Sequence, residues 1–267
     1  MSTSIILAAI AVVVLFAALL YWIFRPKPLE PLPEFKETWR DTLEEKVNYY
    51  RELDDEDKSR FRQRMRDFLR RVEITGIGTE VTETDRVYVA ASGIIPTFGF
   101  LKWNQYPKLN EVLLYKTSFR EGDFATTGAD RRVAGMVGGG FMNGKLLLSR
   151  PSLHQGFEHA GRGNTGIHEF AHLLDKADGD TDGIPAYFMD NSYVLPWLEM
   201  IRSEMEAIER GESDIDDYAT TNKAEFFAVV AEYFFNRPAA FAEHHPKMFR
   251  LLEKVFQLDM DDDGVIG

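Results

Sequence analysis

Residues 166–175 read Gly-Ile-His-Glu-Phe-Ala-His-Leu-Leu-Asp and contain the pattern H-E-x-x-H between His168 and His172. Two imidazoles four positions apart lie on the same face of a helix, one turn above the other, where both can bind one cation. The positions between the polar residues are apolar, which is typical of a half-buried helix rather than a solvated one. This stretch therefore predicts a metal-binding helix in the interior of a folded domain, with Asn164 or Thr165 as its cap.

Glu169 directly follows the first histidine, so its carboxylate can lie beside a bound ion without ligating it. In that position a carboxylate takes a proton from the water that the ion activates. Zinc is the usual ion where two histidines and a carboxylate meet, and a catalytic zinc keeps one coordination position for water. We therefore expect one Zn²⁺, with His168 and His172 as ligands and Glu169 as the catalytic base.

A third protein ligand has to come from elsewhere in the chain. The apolar run from Tyr218 to Phe235 carries Glu225 and Glu232 seven positions apart, and therefore on one helical face. Carboxylates are rarely buried without a partner, and a metal ion supplies one, so either glutamate fits the third position. We expect the remaining histidines in loops or at exposed helix junctions: His154, His159, His244 and His245.

The segments HEFAHLLD and AEFFAVVAEYFF, with Tyr218 between them, resemble the Mlc titration factor A peptidases, relatives of the anthrax lethal factor catalytic domain. The similarity runs from about Phe35 to Leu258. It implies an α+β, zincin-like metallopeptidase domain of the gluzincin type, with a small mixed sheet and a mainly helical C-terminal half. Well-known members of that family show aminopeptidase-like activity and bind a transcriptional repressor. The resemblance therefore implies a peptide or protein substrate and admits a regulatory protein as a partner.

Residue by residue, the resemblance implies three zinc ligands, which are His168, His172 and Glu225. Glu169 matches the catalytic base, and Tyr218 matches a tyrosine that assists at the oxyanion. Glu232 matches no ligand of the family, so we expect it either to support the site or to contact a substrate amine. Asp175, just after the H-E-x-x-H motif, is expected to accept the free N–H of a ligand imidazole.

Residues 5–24 form an uninterrupted apolar run of 20 without a charge, which is the length of a membrane-spanning helix. The residues before it carry no basic side chain and its end lacks small residues, so a cleaved signal peptide fits less well. Arg25 and Lys27 follow the run, and basic residues favour the cytoplasmic side. The sequence thus predicts a single-pass inner-membrane protein, anchored in the lipid bilayer, with its catalytic domain in the cytoplasm.

These features predict four regions along the chain. Residues 1–24 are a transmembrane anchor, and residues 25–34, with four prolines, are a stiff linker. Residues 35–258 are the zincin-like metallopeptidase domain, and residues 259–267 are an acidic C-terminal tail.

Amphipathic helices are predicted within the domain before the sheet and again at 196–209. Short β-type runs predict a sheet of three or four strands before the metal helix: Val72–Thr75, Arg86–Ala91, Glu111–Lys116, Arg131–Val137 and Lys145–Ser149. Gly138-Gly139-Gly140 with Asn143-Gly144 indicates a hairpin connection. It lacks the lysine and the following helix of a phosphate-binding loop, which argues against nucleotide binding.

Composition excludes several other classes of function. The chain has no cysteine, so disulfides and thiolate nucleophiles are excluded, and its net charge of −12 argues against binding nucleic acid. Two acidic stretches, 178–183 and 259–264, match only the first half of a calcium-binding loop, so solvated turns explain them better. The main alternative to a peptidase is a membrane-tethered binding protein that sequesters a transcriptional regulator and uses zinc structurally.

Overall fold

The computed structural model describes residues 3–24, 30–100, 106, 108–117, 119–120, 132–133, 135–137, 144–159 and 163–258. The chain divides into two compact units, Met1–Pro31 and Leu32–Gly267. The boundary lies inside the predicted linker, and the bounds of the four predicted regions remain a prediction. The predicted acidic tail and the predicted glycine-rich hairpin connection lie outside the described residues.

Helix α1 (Thr3–Phe24) belongs to the first unit. Crossing a bilayer takes about 20 consecutive apolar residues. The part of the chain that the structure describes offers no helix with both that length and that apolar character. This finding contradicts the predicted transmembrane anchor, and with it the single-pass inner-membrane location and the bilayer as a partner.

The second unit begins with α2 (Glu37–Lys46), α3 (Asn48–Arg51) and α4 (Asp55–Arg71). The amphipathic pattern of the sequence predicts α2 and α4, and each buries one apolar face, with Trp39 and Leu43 from α2 and Phe61, Met65 and Phe68 from α4. Asp54 caps the N-terminus of α4, because its side chain accepts the Asp57 N–H at 2.7 Å.

Helix α5 (Glu83–Ile94) occupies the run that the sequence predicts as a strand, Arg86–Ala91, so that prediction is wrong. The helix begins with a capping box, in which the Thr82 side chain and the Asp85 carboxylate each accept the other residue's backbone N–H. Because almost all of its later side chains are buried, the helix has no polar face to reveal a helical period.

The main sheet is mixed, as the resemblance implies. The described strands are β1 (Glu73–Ile77), β2 (Glu111–Tyr115), β3 (Phe119–Arg120), β4 (Arg132–Val133), β5 (Gly135–Val137) and β6 (Lys145–Ser149). The strand order of the main sheet is β1-β2-β6-β5, in which β1, β2 and β6 are parallel and β5 runs antiparallel to β6. A separate pair, β3 and β4, is antiparallel.

The C-terminal half is mainly helical, which together with the small sheet confirms the α+β class. The remaining described helices are α6 (Arg150–Glu158), α7 (Thr165–Asp175), α8 (Asn191–Glu209), α9 (Lys223–Asn236), α10 (Pro238–His244) and α11 (Pro246–Phe256). The metal helix, α7, packs against α5, α6, α9 and β5, so it lies between the sheet and the helical half.

Two smaller predictions are also decided. His154 lies within α6 rather than in a loop, and its ring nitrogens lie 2.6 Å from Asp85 and 3.1 Å from Glu158. The acidic stretch after α7 is a turn, because Asp178 and Asp182 accept backbone N–H groups two residues further along.

Candidate metal centre

Two contacts fix the position of α7. The Asn164 side chain accepts the Ile167 N–H at 3.2 Å, so Asn164 is the cap that the sequence predicts. Gly166 faces α5, where an added Cβ would lie 2.1 Å from the Ser92 hydroxyl oxygen. A glycine therefore lets the first turn of the metal helix pack directly on α5.

Helix α9 is fixed in the same manner at its own N-terminus. The Asn222 side chain accepts the Glu225 N–H at 3.0 Å, which places Glu225 in the first turn of the helix. Gly183 lies against the Lys223 carbonyl, which an added Cβ would approach to 2.1 Å. The N-terminus of α9 is therefore held beside the turn that follows α7.

These two helices bring two imidazoles and one carboxylate together. Glu225 Oε2 lies 3.1 Å from His168 Nε2 and 3.2 Å from His172 Nε2. The three candidate ligand atoms all lie within 4.8 Å of one another, and the described residues contain one group that meets this condition. Tetrahedral zinc with bonds of about 2.0–2.1 Å holds its ligand atoms about 3.3–3.4 Å apart. The donor set and its spacing therefore fit a zinc-sized ion.

A second carboxylate lies behind the first histidine. Glu232 Oε2 is 3.4 Å from His168 Nδ1, and Glu232 Oε1 accepts the Asn164 N–H at 2.8 Å. A proton on Nδ1, facing this carboxylate, leaves the Nε2 lone pair directed toward a metal ion. Both Glu232 oxygens are thus engaged by the protein, which favours the supporting role over contact with a substrate amine.

The second histidine is held differently. Asp175 is fully buried, and its Oδ2 accepts the Gly183 N–H at 3.0 Å. His172 Nδ1 and Asp175 Oδ1 are both buried without a hydrogen-bond partner in the described structure. The predicted hydrogen bond from a ligand imidazole to Asp175 is therefore not formed in this structure.

The electrostatics of the site follow from burial and from these contacts. Burial lowers the pKa of His168, but the carboxylates of Glu225 and Glu232 outweigh it and raise that pKa to about 10. Burial raises the pKa of Glu225, but the hydrogen bonds to both histidines outweigh it and hold that pKa well below its usual range. The site thus concentrates negative charge on the carboxylate that faces both imidazoles.

The two predicted catalytic residues lie beside this group. Glu169 is 6% exposed, and burial raises the pKa of its carboxyl above the ordinary value. Tyr218 lies on a single 3-10 turn, Asp217–Thr220, with its ring centroid 6.0 Å from that of His168. The structure thus brings the five sequence-predicted site residues into one region of the second unit.

Sequence reasoning missed the residues that hold this group in place. Asn222 stands three positions before Glu225, and this spacing ahead of an apolar run is a known helix-start signal. Gly163 makes room for Glu232, because an added Cβ would lie 2.7 Å from its Oε1. The pattern at Asn222 was available in the sequence, whereas the contact at Gly163 joins positions that only the fold brings together.

Comparisons with known proteins place the chain among metallopeptidases. A family model described as glucose-regulated metallo-peptidase M90 matches residues 24–257. An uncharacterised protein of Synechocystis sp. is 28% identical over 262 residues, which cover 90% of each chain. Mlc titration factor A of Enterobacter sp. is 27% identical over 248 residues, which cover 87% of this chain and 90% of that protein. Mlc titration factor A of Cronobacter sakazakii is 29% identical over 213 residues, which cover 74% of this chain and 78% of that protein.

The similarity to Mlc titration factor A confirms the resemblance drawn from the sequence. The family model covers most of the chain and includes every residue of the candidate site. The chain therefore belongs to the glucose-regulated metallo-peptidase M90 family, a family of metallopeptidases.

Proposed function

We propose that this chain is a zinc-dependent metallopeptidase of the gluzincin type, with His168, His172 and Glu225 as the metal ligands. The observation that carries the proposal is the convergence of two Nε2 atoms on one Glu225 oxygen, at 3.1 and 3.2 Å. Zinc bound there would supply the positive charge that acidifies a water molecule and polarises the scissile carbonyl.

The chain's own residues then move the protons. Glu169 accepts a proton from the attacking water and delivers it to the departing amine. Its place directly after the first ligand, in the buried interior of the site, supports this role. The Tyr218 hydroxyl donates a hydrogen bond to the tetrahedral oxyanion, a contact whose loss typically costs about 10²–10³ in rate.

The description of the family as metallo-peptidases supports peptide bonds as the substrate class. Aminopeptidase-like cleavage is the finer proposal and comes from the resemblance to Mlc titration factor A. An aminopeptidase needs a group for the substrate's free amine, and Glu232 is already bound to Asn164 and His168. The amine would therefore have to be held by another group. A panel of peptides with free and with acetylated N-termini tests the cleavage mode, because an aminopeptidase cleaves only those with a free N-terminus.

A regulatory binding protein is the second candidate function, favoured by the name of the relatives, which describes a titration factor for Mlc. The buried Glu169 beside the ligands supports the enzyme, because a purely structural metal site has no need of a base. Binding to a regulator and cleavage can be separated by chelation. Removal of the metal abolishes cleavage if zinc is catalytic, whereas binding through another surface continues.

The direct test is E169Q in the purified chain. Removing the base should lower kcat by about 10²–10⁴-fold, while metal analysis still finds one zinc ion per chain. E209Q, an exposed glutamate at the end of α8, serves as the matched control and should leave both values unchanged. Full activity in E169Q would refute the assignment of the base, and absence of zinc from the unsubstituted chain would refute the metal centre.

A further inference from the structure

A group of charged and polar side chains lies outside the metal centre, around Asp214. This residue belongs to the connection between α8 and α9, four positions before Tyr218. One of its oxygens accepts the Tyr233 hydroxyl at 2.5 Å and lies 2.7 Å from His244 Nδ1. Its other oxygen lies 2.7 Å from His245 Nε2. A single carboxylate therefore holds three side chains.

These three partners come from the elements that surround the connection. Tyr233 lies on α9, the helix that also carries Glu225, and the two histidines lie where α10 ends and α11 begins. The same connection is tied to α8, because the Ser213 hydroxyl donates to Glu204 at 2.6 Å. The segment that leads into the Tyr218 turn is thus fixed to the helical half of the domain on several sides.

The Tyr218 turn needs such fixing. A 3-10 helix of one turn makes few internal hydrogen bonds, so it cannot by itself hold a side chain at a set distance from a site. On its C-terminal side the chain enters α9 at the Asn222 cap. On its N-terminal side the connection is bound to other elements through Asp214 and Ser213.

We infer that Asp214 is a positioning residue, which fixes the Tyr218 turn against the helix that carries the Glu225 ligand. The inference rests on the proposed function for the role of Tyr218, although the fixing of the turn does not. The three side chains that Asp214 binds are not among the proposed metal ligands. Asp214 acts through the turn four residues away.

The charges around Asp214 agree with strong hydrogen bonds between its carboxylate and its three partners. Burial raises the pKa of Asp214, but hydrogen bonds from Tyr233, His245 and His244 outweigh it and hold that pKa well below its usual range. Burial lowers the pKa of His245, but Glu204 and Asp214 outweigh it and raise that pKa. Removing the Asp214 carboxylate would leave the partly buried His245 and the Tyr233 hydroxyl without this acceptor, so the contact is costly to lose.

Kinetics of a double-mutant cycle test the inference. D214A should lower kcat about 10-fold or more with little change in KM. The reason is that a misplaced Tyr218 stabilises the transition state less but changes substrate binding little. D214N, which keeps one acceptor oxygen, should lose less. In a Y218F background D214A should change kcat by less than about 2-fold, since the two residues act as one unit. Losses from D214A and Y218F that multiply would overturn the inference.

Hydrogen exchange provides a readout that does not depend on catalysis. In the full metal-free chain, amides of residues 212–222 should exchange at least about 10-fold faster in D214A than in the unsubstituted protein. The matched control is E212A, in the same connection, whose exposed carboxylate pairs with Arg210. E212A should change neither exchange nor kcat. Unchanged exchange in D214A overturns the inference, whereas failure of the unsubstituted chain to cleave any peptide counts against the proposed function alone.

Discussion

At the scale of single residues, Glu232 shows how one carboxylate can serve two purposes. One oxygen accepts the backbone N–H of Asn164, at the start of the metal helix, and the other faces His168 Nδ1. The first contact fixes the position of the helix, and the second fixes the tautomer and orientation of a ligand ring. Gly163 permits both, because any side chain there would collide with the carboxylate.

This double contact predicts that E232Q weakens metal binding without unfolding the domain. Glutamine keeps an acceptor for Asn164 but removes the negative charge behind His168. Loss of such a partner typically lowers metal affinity about 10–100-fold, which competition with a chromophoric chelator would measure.

The control for E232Q is E199Q, an exposed glutamate on α8, which should leave metal affinity unchanged. G163A should act in the same direction as E232Q, because it displaces the same carboxylate while preserving its charge. Equal zinc affinity in E232Q and the unsubstituted chain would show that Glu232 serves only as a partner for the Asn164 backbone.

At the scale of elements, the start of α9 decides where Glu225 lies. The helix begins at Lys223 because Asn222 accepts the Glu225 N–H, so the cap and the ligand share one turn. N222A should lower the free energy of unfolding by about 1 kcal/mol, as cap losses do, and N222D should recover most of it. Urea unfolding of the metal-free protein measures this change.

Losing this cap should also weaken metal binding, since the frayed first turn no longer holds Glu225 at the two histidines. D190A provides the comparison, because it removes the cap of α8, whose Asp190 side chain accepts the Ser192 N–H away from the metal centre. D190A should leave metal affinity unchanged. A similar loss of affinity in both variants would mean that general destabilisation, rather than the placement of Glu225, is responsible.

Element by element, the sequence predicts most where polar and apolar residues alternate with a clear period. The sequence predicts α2 and α4, which are amphipathic, whereas α5 is buried on nearly every side and has the sequence pattern of a strand. The capping box of α5, from Thr82 to Asp85, is the signal in the sequence that marks it as a helix. The sequence predicts one strand over Arg131–Val137, but β4 and β5 belong to two different sheets.

At the scale of the whole molecule, the predictable part of the site is the part that one helix carries. His168, Glu169 and His172 follow from a single spacing, and the resemblance to a known family was needed to choose Glu225 over Glu232. The contacts of Asp214 and Gly163 cannot be predicted from the sequence alone, because they join residues far apart in the chain. The relation to anthrax lethal factor remains a prediction.

A buried ion-pair network also joins elements across the molecule. Asp85 on α5 is fully buried. Arg150, at the start of α6, donates a hydrogen bond from its Nε to Asp85 Oδ1 at 2.9 Å. His154, one turn further along α6, lies 2.6 Å from the same oxygen. Burial raises the pKa of Asp85, but its hydrogen bonds with His154 and Thr82 and the charge of Arg150 outweigh it and lower that pKa from 3.8 to about 2.

This shift predicts how stability depends on pH at the acid end. A carboxyl whose pKa is lower in the folded state stabilises that state above its unfolded pKa, and the contribution is lost as pH falls from about 4 to about 2. The contribution amounts to about 2 kcal/mol. Urea unfolding between pH 2 and 7 measures the free energy of unfolding of D85N and of the unsubstituted chain. The difference between the two should be largest above pH 4 and should shrink as the pH falls toward 2. E199Q, which removes an exposed carboxylate in the middle of α8, should leave the curve in place. A gap for D85N that stayed constant over this range would show that Asp85 contributes through packing rather than through its charge.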